Sequence, residues 1–444
     1  MEFLIRFSQN YESFQKAEIE ALAILEGVTM TVVSYESDSP FCVVKLQSTN
    51  AAEKLIRRSI LAISIHELWG AGADLQKLKD SIISRTPHLW SKYEKPSFKI
   101  NIDNYRGNPA VHKRLETINS FSFLPLKGPI ALKTPDQTFT CFELWPFQSF
   151  ELGITRPDQM YFGRLVAGSS RDIIRKYDLK KRGWISTTSM DSELALVTAN
   201  ISLAATGKLF YDPFVGTGSF PIACAHFGAM AWGSDLDGRS IRGEGGKKSL
   251  KGNFQQYSIQ SRLGGMFSAD LIHHPFHPNR RIWDGIVCDP PYGVREGLKV
   301  LGVKDPEKTP WLIEAGRTQG TLPDYVPPKK PYSFLAMLDD ILNYASETLV
   351  DHGRLSFWMP TANDENQELP IPAHPCLEVV VVCIQPFYKW SRRLITYYRK
   401  PDVDVCTAAL EAYAARERPD LSGTTADELN PFRKGYFRKF EIGE

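Results

Sequence analysis

The octapeptide Asp212-Pro213-Phe214-Val215-Gly216-Thr217-Gly218-Ser219 decides how the rest of the 444-residue chain is read. An apolar stretch, 208–212, leads into it, and helix-forming apolar residues continue from Ser219 to Phe227, where Gly228 stops them. The order is strand, glycine turn, helix. Glycines in such a turn let a ligand approach the backbone closely, and the amides that open the next helix face that ligand. The third glycine of the dinucleotide fingerprint is missing, which disfavours NAD and FAD. Downstream, a second strand ends in Ser234-Asp235-Leu236-Asp237-Gly238. A carboxylate at that place accepts hydrogen bonds from a ribose diol, and either Asp235 or Asp237 suits the task. A nucleoside-containing cofactor follows from the pair of signals.

A second turn, Asp289-Pro290-Pro291-Tyr292, ends the apolar strand 282–288. Two prolines remove two amide donors and leave carbonyls and the Asp289 carboxylate as acceptors. Such a turn suits a planar amino group. Asp289 and the Pro290 carbonyl would hold its N–H bonds and aim the nitrogen lone pair at an electrophile. Tyr292 could stack on the attached ring, a contact worth about 1–3 kcal/mol for a nucleic-acid base. A rigid surface turn is the plain alternative, and the glycine turn upstream tells against it. Cys288 stands just before the turn, but attack through cysteine serves ring carbon, and an amine is already a nucleophile. Cys288 therefore reads as a buried strand residue.

Outward from these turns, strand–helix alternation continues through a helix at 334–349, stopped by Gly353, and a strand at 354–359. The pattern predicts a parallel, doubly wound α/β sheet. The strands 377–385 and 389–399 are joined too tightly for a crossover and predict an antiparallel terminal hairpin. The N-terminal third differs. Its order, a strand at 3–7, a helix ending at Gly27, strands at 29–35 and 41–46, and a helix through Arg58 with Asn50 and Glu53 as a capping box, predicts a ferredoxin-like α+β unit. Beyond it, arms at 130–133 and 138–144 about Pro135-Asp136 read as a hairpin. The divisions expected are 1–60, a ferredoxin-like unit; 61–163, a second N-terminal domain; 164–184, a basic linker; 185–400, the α/β domain; and 401–444, a charged helix and tail.

Composition bounds the rest. The chain is 43% hydrophobic and 23% charged, ordinary for a globular protein and against wholesale disorder. The apolar stretch 377–384 is strand-sized, so no membrane span is expected, and no basic, cleavable leader precedes the first strand. Seven cysteines without a C-x-x-C pair argue against a structural zinc site and a disulfide framework, which points to a reducing compartment, the cytoplasm. His273, His274 and His277 lie close together, but Pro275 and Pro278 break the helix that would align them, so no metal is expected. A net charge of +2 decides nothing about nucleic acid, whereas basic patches at 171–182, 239–251 and 389–400 leave it open. The segment 294–330, with five prolines, reads as a lid or an ordinary insertion.

Together, D-P-F-x-G-x-G-S, S-D-L-D-G, Ala269-Asp270-Leu271 and D-P-P-Y-G resemble an amino-group methyltransferase dependent on S-adenosylmethionine. Thr188-Ser189-Met190-Asp191-x-Glu193-Leu194-Ala195, Ala225-His226-Phe227-Gly228, Ala17-Glu18-Ile19-Glu20-Ala21-Leu22 and His66-Glu67-Leu68-Trp69-Gly70 are similar to one family, the catalytic subunits of eukaryotic tRNA (guanine(10)-N2)-methyltransferase. The resemblance implies a Rossmann-like class I methyltransferase domain preceded by a ferredoxin-like and THUMP region that grips tRNA. It implies that Phe214, Gly216 and Gly218 line the methionine part of the cofactor, with Asp212 also at the cofactor site, that Asp235 or Asp237 holds the ribose, and that Asp270 bonds the adenine amine. Asp289, Pro290, Pro291 and Tyr292 would take the N2 amine of a guanine flipped out of its helix. It further implies a small zinc-binding activator subunit, forming a heterodimer through the sheet edge at 266–270. Three readings compete: a DNA or RNA adenine N6-methyltransferase, a protein glutamine methyltransferase, which usually carries Asn in place of Asp289, and a non-catalytic tRNA-binding subunit on the same fold.

Overall fold

The computed structural model describes residues 1–149, 151–277, 280–294, 297–302, 313–314, 317–318, 328–362, 369–388, 390–419, 425–433 and 436. The chain divides into two compact units, Met1–Asp172 and Ile173–Glu444.

In the first unit, β1 (Glu2–Phe7), β2 (Thr31–Tyr35), β3 (Phe41–Lys45), β4 (Ala62–Gly72), β5 (Phe98–Tyr105), β6 (Gln137–Leu144) and β7 (Gln159–Gly168) build one sheet in the order β2-β3-β1-β4-β7-β6-β5. The first four strands with helices Glu12–Glu26 and Thr49–Ile56 make the ferredoxin-like arrangement that the element order predicts. That arrangement does not stop at residue 60. Its fourth strand is β4, which pairs with β1 on one side and β7 on the other and so belongs to both halves of the sheet. The capping box at Asn50 and Glu53 is also displaced. The helix starts earlier, capped by Ser48, whose hydroxyl accepts from the Ala51 amide at 3.2 Å.

The hairpin expected at 130–144 does not form. β6 runs parallel to β5 and antiparallel to β7, and the first arm contributes one bridge, Phe98 to Ile130. The reason lies in the turn: the Asp136 carboxylate accepts from the Ser97 amide and hydroxyl at 2.9 and 2.6 Å, which ties the turn to the start of β5. The basic linker at 164–184 is corrected as well. Residues 164–168 are the end of β7, inside the sheet. At the other end Arg182 is buried, donating to Ser219 Oγ at 2.9 Å, and the Trp184 amide donates to Asn253 Oδ1 at 2.9 Å.

In the second unit the sheet comprises β8 (Leu209–Asp212), β9 (Met230–Asp235), β10 (Leu263–Ser268), β11 (Trp283–Cys288), β16 (Leu349–Ala362), β17 (Leu377–Pro386) and β18 (Trp390–Arg399), in the order β10-β9-β8-β11-β16-β18-β17. Strands β10 to β16 of that order run parallel, and β16, β18 and β17 pair antiparallel, which is the terminal hairpin. This is the doubly wound class I methyltransferase topology. Short ribbons join β12 (Lys299–Leu301) to β15 (Lys329–Pro331) and β13 (Ile313–Glu314) to β14 (Arg317–Thr318). Most of the segment read as a lid, 294–330, lies outside the described residues. Helix Phe334–Thr348 runs straight into β16 at Leu349, and Gly353, expected to end the helix, falls within that strand. Packed on the sheet, Tyr211 stacks on Trp283 with ring centroids 4.9 Å apart, inside a core that includes Ile286, Cys288 and Phe357. Cys288 is thus a core residue, as its strand position suggests.

The basic stretch at the end of the hairpin is not a solvated face. Arg393 and Arg399 are buried, and Arg399 bonds Asp351 and Asp402, each at 2.8 Å.

The first unit makes a stability prediction. Buried Glu18 accepts from Ser59 Oγ at 2.7 Å and from the Ile60 and Leu61 amides at 2.9 Å, anchoring helix Glu12–Glu26 to the entry of β4. Glu18→Ala strands three buried donors and should cost about 3–5 kcal/mol, with Glu18→Gln costing less because one acceptor oxygen remains. Denaturant melts of the two variants check this, and an unchanged midpoint for Glu18→Ala would contradict it.

Candidate active site

Strands β8 and β11 are parallel neighbours, with Phe210 opposite Gly285 and Tyr211 opposite Ile286. Their C-terminal ends therefore lie side by side, and the two turns read from the sequence emerge at the same edge of the sheet, where open α/β sheets bind ligands. On the other side of β8, parallel β9 ends at Asp235.

The glycine turn is held from several directions. Its Val215 amide donates to Ser234 O at 2.9 Å, and its Gly216 amide donates to Asp235 Oδ2 at 2.8 Å. Gly216 and Gly218 sit at φ of 50° and 89°, the left-handed region that glycine enters without strain. A Cβ on Gly218 would press on the Leu250 side chain at 3.0 Å, whereas one on Gly216 would meet nothing closer than 4.0 Å. The face of the turn at Gly216 is open. The Thr188-Ser189-Met190 run supports it from behind: Ser189 and Thr217 hydroxyls are 2.7 Å apart, and Ser219 Oγ donates to Met190 O at 3.2 Å. Phe214 is partly buried against the core.

The carboxylates differ in what they already bond. Asp212 is 2% exposed and accepts from the Phe214 amide at 2.9 Å. Burial drives its carboxyl well above the usual range, and nearby Asp235 and Asp289 push the same way. Asp235 accepts from the amides of Gly216 and Asp237, both at 2.8 Å, and burial raises it too. Asp237 turns elsewhere, capping helix Gly238–Arg242 and pairing with Arg239 at 2.8 Å, which holds its carboxyl below the usual range. Asp270 accepts from the His273 amide at 2.6 Å, the His273 ring at 2.9 Å and the Leu301 amide at 2.9 Å. The His273 ring also lies 3.0 Å from the second oxygen, so the four acceptor positions of the carboxylate are in use, and a ligand would have to displace that half-exposed ring. Among the described residues no group of three or more His, Cys, Asp or Glu is placed to hold a metal ion.

In the second turn, Tyr292 Oη donates to Asp289 Oδ1 at 2.6 Å, and Arg392 from β18 reaches Asp289 Oδ2 at 3.7 Å. Burial raises the Asp289 carboxyl, with Arg392 and the Tyr292 hydroxyl pulling it down. Arg392 itself lies 4.7 Å over the Trp358 ring. Trp390 stands edge-on to Tyr292, with centroids 6.1 Å apart. The sequence marks Arg392 only as part of the basic patch at 389–400 and does not mark Trp390. They sit about a hundred residues beyond the turn and meet it only because β18 folds back antiparallel beside β16.

Asp212→Asn keeps the acceptor for the Phe214 amide and removes a buried charge. A carboxyl raised in the folded state destabilises the fold above its folded pKa and is relieved on acidification. The variant should therefore unfold at a higher temperature than the parent at pH 8, with the gap narrowing toward pH 5. Thermal melts across that range test it, and a variant less stable at pH 8 would refute it.

Comparison with known proteins gives the site its context. Residues 1–171 match the model of a Tmrp11 THUMP N-terminal domain, and residues 180–301 match an RMKL-like methyltransferase domain. The tRNA (guanine(10)-N(2))-methyltransferase of Saccharomyces cerevisiae is 42% identical over 90% of this chain and 93% of its own. The Schizosaccharomyces pombe protein of the same name is 33% identical over 98% and 96%, and tRNA (guanine(10)-N(2))-methyltransferase TRMT11 of Homo sapiens is 33% identical over 89% and 87%. At that identity, over nearly the whole length of both partners, the chain belongs to the tRNA (guanine(10)-N(2))-methyltransferase family.

Proposed function

We propose that this chain transfers a methyl group from S-adenosylmethionine to the exocyclic N2 of guanosine 10 in tRNA. One observation carries the chemistry: an acceptor-rich turn, Asp289-Pro290-Pro291-Tyr292, stands at the same sheet edge as an open-faced glycine turn backed by Asp235. The residues fit the cofactor. The open face at Gly216 leaves room for a ligand against the backbone, and the carboxylates around it suit a cationic ligand bearing a ribose diol. Asp235 is the better candidate for the ribose, because it abuts Gly216 while Asp237 is committed to Arg239. Asp212, Phe214, Gly216 and Gly218 would flank the methionine portion, and Asp270 would take the adenine amine in exchange for the His273 ring.

S-adenosylmethionine supplies a sulfonium methyl as the electrophile. The chain supplies position. Asp289 would accept one N2 hydrogen and the Pro290 carbonyl the other, leaving the nitrogen lone pair free and fixed in direction. Arg392 keeps negative charge on Asp289 in a partly buried place, and Tyr292 sets the carboxylate plane through its hydrogen bond. Holding the nucleophile in this way is worth several kcal/mol of barrier, mostly as entropy already lost on binding. Reaching a paired guanine requires the base to leave its helix. The first unit, by its THUMP match, would hold tRNA through phosphate contacts that position the substrate while the turn selects the amine.

The reading includes a partner. β10 is the outer strand on its side of the sheet, so a small zinc-binding activator could add a strand there, next to the cofactor carboxylate Asp270. Among the described residues no helix is long and apolar enough to cross a membrane. We place the enzyme in the cytoplasm on its cysteine usage, seven residues without a C-x-x-C pair.

Two measurements test the proposal. Incubation of the chain and its activator with unmodified tRNA and S-adenosylmethionine, followed by nucleoside mass spectrometry, should yield N2-methylguanosine. Asp289→Ala should lower that yield by at least about a hundredfold. Methyladenosine in its place would move the enzyme to the adenine substrate class, and tRNA binding without any methylation would favour a scaffold. The raised carboxyls set a second expectation. A cation binds best when Asp212 and Asp235 are ionised, and both carboxyls are raised, so affinity for S-adenosylmethionine should fall on acidification, and fall less for the uncharged thioether S-adenosylhomocysteine. Calorimetry showing equal pH dependence for both ligands would contradict this.

A further inference from the structure

We propose that the segment 425–433 sets the geometry of the Asp289 turn, with Asn430 and Arg433 as positioning residues for the transfer. The inference rests on the reading of that turn as the amine holder. It starts from an imbalance. With Pro290 and Pro291 lacking amide hydrogens, the turn is rich in acceptors and poor in donors. Gly293, at φ of 67°, bends the chain away from any strand partner, so the carbonyls of residues 292–294 need donors from elsewhere.

Those donors come from about 140 residues downstream. Asn430 Nδ2 donates to Tyr292 O at 2.7 Å, and Arg433 Nη1 donates to Gly293 O at 3.0 Å and to Val294 O. Both side chains are themselves fixed. Asn430 is 2% exposed, and its Oδ1 accepts from the Arg433 amide at 3.1 Å. Arg433 Nε donates to Asp427 Oδ1 at 2.7 Å. The segment is tied to the helix beside the site, since the Phe334 amide donates to Leu429 O at 2.9 Å. Phe432 is buried with its ring 5.8 Å from Trp390, the residue that stands against Tyr292.

The contact reaches the chemistry through one residue. Tyr292 has its carbonyl held by Asn430 and its hydroxyl bonded to Asp289, so displacement of its backbone moves the hydrogen bond that orients the carboxylate. The fit leaves no slack: a Cβ on Gly293 would lie 2.7 Å from Asn430 Nδ2.

The test uses the full chain with its activator. Asn430→Asp is nearly isosteric and turns the donor facing Tyr292 O into an acceptor; Arg433→Met removes the other donors and keeps the stem, and Arg433→Lys keeps one. We expect kcat for tRNA methylation to fall roughly 10- to 100-fold in Asn430→Asp and Arg433→Met. KM for tRNA and for S-adenosylmethionine should stay within about twofold, with partial recovery in Arg433→Lys. Hydrogen exchange at the amides of Tyr292, Gly293 and Val294 should quicken while β11 keeps its protection. Unchanged kcat in both donor-removing variants would overturn the proposal. So would unchanged exchange in the turn, a readout that stands even if the parent enzyme methylates nothing. Transfer to adenosine in place of guanosine would sink the proposed substrate and leave the kcat ratio between parent and variant as the measure of this inference.

Discussion

Everything at the candidate site depends on the parallel pairing of β8 with β11. On the proposed reading neither turn suffices alone: a glycine turn without an amine holder would bind a cofactor and stop there, and an acceptor-rich turn without a cofactor would be a rigid loop. The register that sets Tyr211 opposite Ile286 brings both to one edge of the sheet, and the stack of Tyr211 on Trp283 locks that register from within the core. A shift by one residue would turn Tyr211 to the other face of the sheet and carry Asp212 with it. The geometry of the candidate site is a consequence of core packing.

Gathering Asp212, Asp235 and Asp289 at the ends of adjacent strands is unfavourable for the fold by itself. Burial raises all three carboxyls, and Asp212 feels the charge of the other two. The chain offsets this in a selective way. Asp235 is satisfied by two backbone amides, and Asp289 by a tyrosine hydroxyl and an arginine. Asp212 has one amide and the deepest burial. A site that is electrostatically short of cations is suited to a cationic cofactor.

Much of this was legible because it is local. Asp212 to Ser219 and Asp289 to Tyr292 each carry their meaning within eight residues, and strand–helix alternation predicts the parallel sheet around them. The terminal hairpin followed from the tightness of its connection, and the edge position of β10 was implied by the family resemblance. What was not legible is non-local. Nothing near Arg392 tells that its guanidinium meets Asp289. Nothing near Asn430 or Arg433, in a stretch read only as a charged tail, tells that they cap carbonyls far upstream. The basic patch at 389–400 stayed open in the sequence for the same reason, since Arg399 finds Asp351 and Asp402 only in the folded chain. In the first unit, periodicity could identify β6 as a strand but could not choose its partner, which the Asp136 side chain settles by bonding Ser97.

The central claim is that cofactor and amine meet above the adjoining ends of β8 and β11. A crystal structure with S-adenosylhomocysteine bound tests it most directly. The account predicts the ribose against Asp235 and the sulfur over the open face of Gly216, turned toward Asp289. A ligand seated elsewhere, or one whose sulfur faces away from Asp289, would contradict it.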